Sequence, residues 1–215
     1  MSEHYFSDSP SSRQRQAAFS ATVWGRQLTF ASASGVFSHS RLDLGTQVLL
    51  RTDRPRPSTR TVLDLGCGSG VIATCLGLEL PSVQVWAVDV NERARELTSL
   101  NARAHGLTGR VHVRAPDDVP ADVLFDEIWS NPPIRIGKAA VQALLLSWLT
   151  RLAPDGRAVL VIGRNLGADS YQRWLLAEGW TCERLASAKG FRVLEVTAAP
   201  PGNNAMALTG GAAAD

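Results

Sequence analysis

Beyond residue 60 the chain alternates apolar runs of about six residues with amphipathic segments of about twelve, the signature of βαβ units and a parallel sheet. The pattern predicts strands over 61–65, 84–89, 111–114, 127–130, 158–162, 181–186 and 192–196. Helices are predicted between them, over 71–79, 91–105, 139–152 and 169–178. Only 187–191 separate the last two strands, so these should pair as an antiparallel hairpin at the sheet edge. The implied fold class is α/β: a Rossmann-like, doubly wound, seven-stranded and mostly parallel sheet with an antiparallel C-terminal strand. Ligands of such sheets sit at the carboxyl ends of the strands.

Ahead of this regular region, 21–24 and 27–30 flank Gly25-Arg26 and predict a small β-hairpin extension with a two-residue turn. A Ser/Gly loop then leads to a short helix around 45–50, and 51–58, with Pro55 and Pro57, reads as a linker. The polar, Ser-rich residues 1–20 are expected to be a flexible segment. Residues 21–197 form one domain, made of the hairpin and loop (21–58) and a core (60–197), and the Pro-, Gly- and Ala-rich 198–215 is expected to be a disordered tail.

Composition narrows the function classes. With 215 residues, 45% hydrophobic and 20% charged, the chain suits one sizeable soluble domain. No apolar run approaches the roughly 20 residues that cross a bilayer, so no membrane partner is expected. The N-terminus lacks the apolar stretch of a secretory signal, which makes a cytoplasmic location the expectation. Cys67, Cys75 and Cys182 are scattered and the four histidines do not cluster with them, so neither a disulfide framework nor a metal site is expected. A net charge of +2 permits a nucleic-acid partner without requiring one. Nothing in the sequence fixes the oligomeric state.

The candidate chemistry gathers at three strand ends. The first core strand runs into Asp64-Leu65-Gly66-Cys67-Gly68-Ser69-Gly70 and then directly into a helix. Glycines there permit a tight turn and close approach of a ligand to the backbone, and the helix start offers free N–H groups. A Rossmann dehydrogenase would carry G-x-G-x-x-G. Here the glycines are preceded by Asp64, a carboxylate awkward beside a pyrophosphate but suited to a ligand bearing an ammonium group. Asp89, ending the next strand, is placed to accept hydrogen bonds from ribose hydroxyls or to cap the following helix. Asp117 and Asp118 follow the third core strand and read equally as adenine contacts or as solvated loop acids.

Together D-L-G-C-G-S-G, V-D-V-N and the Asn-Pro-Pro after the fourth core strand resemble the class I S-adenosylmethionine-dependent methyltransferases. The resemblance implies S-adenosylmethionine as cofactor, with Gly66 and Gly68 beneath its methionine part, Asp64 near its amino group and Asp89 on its ribose; Cys67, Val90, Asp117 and Asn131 complete the expected cofactor-binding set. It also implies that Asn131-Pro132-Pro133-Ile134 is the family's N-P-P-[FYWI] motif, found in enzymes that methylate exocyclic base amino groups or amide nitrogens. The Asn131 side-chain oxygen and the Pro132 carbonyl would then accept the two N–H groups of a poorly nucleophilic nitrogen and aim it at the methyl carbon, with Pro133 stiffening the turn. No strong general base is required. The acceptor stays open among guanine N2, adenine N6 and a protein glutamine amide, and a non-catalytic cofactor- or RNA-binding module is a further alternative.

Outside the core, Gly35-Val36-Phe37-Ser38, Leu42-Asp43-Leu44-Gly45-Thr46 and Asn131-Pro132-Pro133-Ile134-Arg135 followed by Gly137-Lys138 are similar to the RsmC-like ribosomal RNA small-subunit guanine-N2 methyltransferases, in a short single-domain bacterial form. RsmC itself carries a second, non-catalytic methyltransferase-like domain ahead of this region. The resemblance implies ribosomal RNA or the small ribosomal subunit as partner, and Arg135 and Lys138 as phosphate contacts beside the target base. Arg13, Arg15 and Arg41 read as an extension of that basic track or as solvated loop residues, Phe37 as a wall of the cofactor pocket or as packing. Trp129 reads as sheet core, and Cys67 as a small filler rather than a nucleophile.

Overall fold

A computed structural model describes residues 16–33 and 41–199. A two-stranded hairpin, β1 (Gln16–Val23) and β2 (Arg26–Ala33), precedes helix α1 (Leu44–Thr52). Then follow β3 (Thr61–Leu65), α2 (Val71–Glu79), β4 (Gln84–Val88), α3 (Glu92–Ala104), β5 (Val111–Arg114), β6 (Phe125–Ser130), α4 (Lys138–Leu149), β7 (Leu152–Gly163), α5 (Ala168–Ala177), β8 (Trp180–Ala188) and β9 (Phe191–Ala198). The strands from β3 onward form one seven-stranded sheet in the order β5-β4-β3-β6-β7-β9-β8. Pairs from β5 to β7 are parallel, and β9 runs antiparallel to β7 and β8. This is the mostly parallel sheet that the apolar runs predict.

Both faces of the sheet are covered, which is why its central strands lack a polar face. Val62, Trp129, Val159 and Val161 pack into one core with α1, α2 and the hairpin. Their neighbours Leu63, Ile128, Leu160 and Ile162 point the other way, into a second core beneath α4 and α5. In α2 every residue from Val71 to Gly77 is buried, so that helix is apolar all round. By contrast α3 is amphipathic and starts at Asn91, whose side chain accepts from the backbone N–H groups of Arg93 and Ala94. Among the described residues no helix is long and apolar enough to cross a membrane.

Three local expectations need correction. The hairpin turn is Trp24-Gly25, one residue earlier than expected, with φ of 48° and 82°. The indole explains that choice: Trp24 Nε1 donates to the Leu50 carbonyl at 2.7 Å and the ring meets Trp129 edge-on, contacts that offset its left-handed backbone. β1 begins at Gln16, inside the segment expected to be flexible. Finally, 51–58 is no free linker. Helix α1 runs to Thr52, the Arg56 N–H and the Thr59 hydroxyl donate to Glu127 Oε1 at 2.7 and 2.8 Å, and the Arg60 and Thr61 N–H groups donate to Asp126 Oδ2. A carboxylate as buried as Glu127 requires such donors, and this segment supplies two of them. Arg13, Arg15, Gly35 and Phe37 lie outside the described residues.

Candidate active site

The carboxyl ends of β6, β3, β4 and β5 stand side by side, spanning roughly 14 Å at a strand spacing of about 4.8 Å. Asn131, Pro132 and Pro133 follow β6, Asp64 to Gly68 end β3, Asp89 and Val90 follow β4, and Asp117 follows β5. The residues singled out for a cofactor and for an acceptor therefore form one continuous line along the sheet.

Asp64 is fully buried at the end of β3. Its Oδ2 accepts from the Ala73 N–H at 2.9 Å, satisfying a donor in the first turn of α2 that no helix residue can reach. Among the described residues its Oδ1 has no hydrogen-bond partner. Burial pushes the carboxyl up to about 7, Asp89 adds to that rise, and the Ala73 N–H opposes it. Such a group invites a cation, and the ammonium of a methionine-type ligand fits it.

The turn after Asp64 needs glycine at two positions for different reasons. Gly66 has φ +76°, and a Cβ there would project to within 3.8 Å of Pro133 Cδ, across the gap between the two loops. Gly70 also has φ +76°, and its Cβ would meet Thr98 at 2.8 Å, so glycine lets α3 close against the start of α2. Gly68 donates its N–H to Asp89 Oδ2 at 3.0 Å, while Asp89 Oδ1 accepts from the Asn91 N–H at 2.9 Å. Asp89 thus ties the glycine turn to the start of α3. Val90 beside it is 40% exposed, an apolar surface next to that carboxylate. Asp117 is exposed in a short 3-10 turn. Cys67 is buried and receives the Thr98 hydroxyl. Burial, with the Asp89 and Asp64 carboxyls, pushes its thiol well above the ordinary range, which leaves it neutral and inert.

On the acceptor side, the buried Ser130 hydroxyl donates to the Leu65 carbonyl at 2.7 Å and staples the end of β6 to the end of β3. The Asn-Pro-Pro turn is thereby held beside the glycine turn. Pro133, with φ −75° and ψ 70°, is the centre of an inverse γ-turn in which the Ile134 N–H donates to the Pro132 carbonyl at 2.8 Å. One lone pair of that carbonyl remains for another donor. The Asn131 amide nitrogen donates to Asp43 Oδ1 at 2.7 Å and to the Thr46 hydroxyl at 3.1 Å. Asp43 and Thr46 belong to the start of α1, where Asp43 is also the cap, accepting from the Thr46 N–H at 3.0 Å. In the sequence this D-L-G-T segment carries part of the family resemblance, with no role evident for its side chains. The cap pattern was readable, whereas a partner 88 residues away was not.

Arg135 is exposed in the turn after Pro133, and Lys138, at the start of α4, donates to the Ser170 hydroxyl at 2.7 Å. Two exposed cations with no local signal in the sequence stand on the neighbouring strand ends: Arg164 follows β7, its N–H donating to the Gly190 carbonyl at 2.7 Å, and Lys189 lies in the β8–β9 turn. Arg41 is exposed ahead of α1. Arg192 and Arg184 differ, since both pair with Asp169.

Comparison with known proteins agrees with this geometry. The model of the methyltransferase small domain matches residues 27–195. Over 173 residues the chain is 35% identical to the uncharacterised protein YbxB of Bacillus subtilis, covering 79% of this chain and 86% of that one. It is 36% identical over 177 residues to ribosomal RNA small subunit methyltransferase C of Chromohalobacter salexigens, covering 78% of this chain. The chain spans about half the length of that relative, 51%. Among solved structures, a T. thermophilus 16S rRNA N2 methyltransferase (RsmC) in complex with AdoMet and guanosine superposes with a TM-score of 0.74 and 26% identity, over 85% of this chain and 50% of that one. With glycine turn, acidic strand ends and Asn-Pro-Pro turn arranged on a seven-stranded sheet, and with the family's model spanning most of its length, this chain belongs to the methyltransferase small domain family.

Proposed function

We propose that this protein is an S-adenosylmethionine-dependent N-methyltransferase acting on an exocyclic amino group of an RNA base, guanine N2 of small-subunit ribosomal RNA. The observation that carries the reading is the juxtaposition of the two loops: Ser130 staples the acceptor turn to the end of β3, and Pro133 faces Gly66 across the gap. The relatives named for ribosomal RNA methylation support the choice of acceptor.

In this reading Asp64 holds the amino group of the cofactor, Gly66, Cys67 and Gly68 pass beneath its methionine arm, Asp89 and Val90 take the ribose, and Asp117 stands toward the base. The bound cofactor supplies an electrophilic methyl group on a sulfonium. The Asn131 side-chain oxygen and the free lone pair of the Pro132 carbonyl accept the two N–H groups of the acceptor nitrogen. Both acceptors act at the nitrogen as it gains positive charge, and they direct its lone pair toward Gly66. Cys67, held neutral, takes no part. Arg135 and Lys138, joined by Arg164 and Lys189, contact phosphates and position the RNA without reading its sequence.

The experiment incubates the protein with methyl-labelled cofactor and, separately, small ribosomal subunits, bare ribosomal RNA and protein extract, then identifies the modified nucleoside by mass spectrometry. N2-methylguanosine from the small-subunit samples is the expected product. N6-methyladenosine would move the acceptor, and label confined to protein would remove RNA as the substrate. Calorimetry with S-adenosylhomocysteine and NAD tests the cofactor directly, with preference for NAD overturning the class.

A further inference from the structure

The amide of Asn131 has two orientations, and only one presents its oxygen to an amino group. What selects between them lies outside the core sheet. At the start of α1, Asp43 Oδ1 and the Thr46 hydroxyl both stand within hydrogen-bond reach of the Asn131 nitrogen, at 2.7 and 3.1 Å. The reverse orientation would set the amide oxygen against a carboxylate oxygen, with no hydrogen between them. Gly45 allows the approach: a Cβ there would meet Asp43 Oδ1 at 3.0 Å, Asn131 Nδ2 at 3.3 Å and Phe191 Cε1 at 3.0 Å.

We propose that Asp43, assisted by Thr46, is a positioning residue for methyl transfer, locking the Asn131 amide with its oxygen toward the acceptor and polarising it. This rests on the role of Asn131 in the proposed function. Hydrogen bonds in series strengthen one another, and a bond to a carboxylate is stronger than one between neutral groups. As Asp43 draws on the Asn131 N–H, the amide oxygen becomes a better acceptor for a nitrogen that gains positive charge in the transition state. Helix α1 therefore carries a part of the active site into the segment that precedes the cofactor-binding core.

Three variants separate positioning from helix capping. Asp43→Ser keeps a capping oxygen for the Thr46 N–H but is too short to reach Asn131. Asp43→Asn keeps one oxygen able to serve both donors while removing the charge. Asn131→Ala removes the group being positioned. With full-length protein, labelled cofactor and small ribosomal subunits, Asp43→Ser should lower kcat roughly 10- to 100-fold, with KM for RNA, affinity for S-adenosylhomocysteine and Tm near wild type. Asp43→Asn should retain kcat within about tenfold, and Asp43→Ser should cause little further loss when added to Asn131→Ala. A reading independent of substrate comes from NMR: the Asn131 side-chain N–H protons should exchange slowly in wild type and faster in Asp43→Ser. A folded Asp43→Ser variant with wild-type kcat, or with unchanged exchange at the Asn131 amide, would overturn the proposal. If Asn131→Ala itself keeps full activity, the proposed function fails instead.

Discussion

The two ends of β6 carry polar groups treated in opposite ways. At its start Glu127 is fully buried and saturated: Oε1 takes the Arg56 N–H and the Thr59 hydroxyl, Oε2 takes Trp129 Nε1 at 2.6 Å, and Arg157 lies 3.4 Å away. Arg157 is in turn anchored to Asp53 and Glu195, each at 2.7 Å, and to the Arg54 carbonyl. Past the far end of β6, Asn131 donates through its nitrogen to α1, and among the described residues Asp64 Oδ1 on the adjacent strand is buried without a partner. A network that uses its lone pairs internally holds a fold together. One that leaves acceptors open is incomplete without a ligand. The contrast separates the amino end of the sheet, which stabilises, from the carboxyl end, where the proposed chemistry lies.

Substitutions that break this contrast should have effects of different kind. The largest should come from Arg157→Met, which strands Glu127 as an uncompensated buried charge and costs about 3–5 kcal/mol. Thermal unfolding should shift down by about 10 °C, while the folded fraction binds S-adenosylhomocysteine as wild type does. Gly70→Ala should cost about 2–3 kcal/mol, because it combines a left-handed backbone with a Cβ pressed against Thr98. Chemical denaturation would read this loss, and Gly25→Ala, whose Cβ meets nothing within 4 Å among the described residues, isolates the backbone part.

Asp64 offers a sharper test, since its carboxyl is pushed up to about 7 from an ordinary value of 3.8. In the unliganded protein the folded state then holds a proton that the unfolded state has released. The stability Asp64 contributes is therefore greatest below about pH 4 and is lost as pH rises through about 7. Ligand affinity should run the other way: the ionised form attracts an ammonium, so S-adenosylhomocysteine should bind more tightly as pH rises from 6 to about 7, by at most tenfold per unit. Calorimetry across this range should show that trend in wild type and a flat profile in Asp64→Asn. The smallest effect belongs to the rim: Arg164→Ala with Lys189→Ala should raise KM for RNA a few-fold and flatten its salt dependence, leaving cofactor affinity alone.

What the sequence disclosed and what it hid divide by range. Helix α2 falls on its expected residues, 71–79, because an apolar run starting after Gly70 is a local signal. The glycine turn and Asn131-Pro132-Pro133 were readable for the same reason, as contiguous motifs. The strap over 53–60 was not, because its anchors are Asp126 and Glu127, and prolines without visible partners read as a linker. Asp43 was hidden likewise: its cap is local, but its bond to Asn131 crosses from α1 to β6. Arg164 and Lys189 become neighbours only once β9 inserts between β7 and β8.

The most direct test of the account is single-turnover methyl transfer by Asn131→Ala on small ribosomal subunits, measured beside its Tm and its affinity for S-adenosylhomocysteine. The account predicts a fall in the transfer rate of roughly 10²- to 10³-fold with both other quantities near wild type, since the proposed role of Asn131 is toward the acceptor. An unchanged rate, or a loss that merely tracks cofactor affinity, would contradict it.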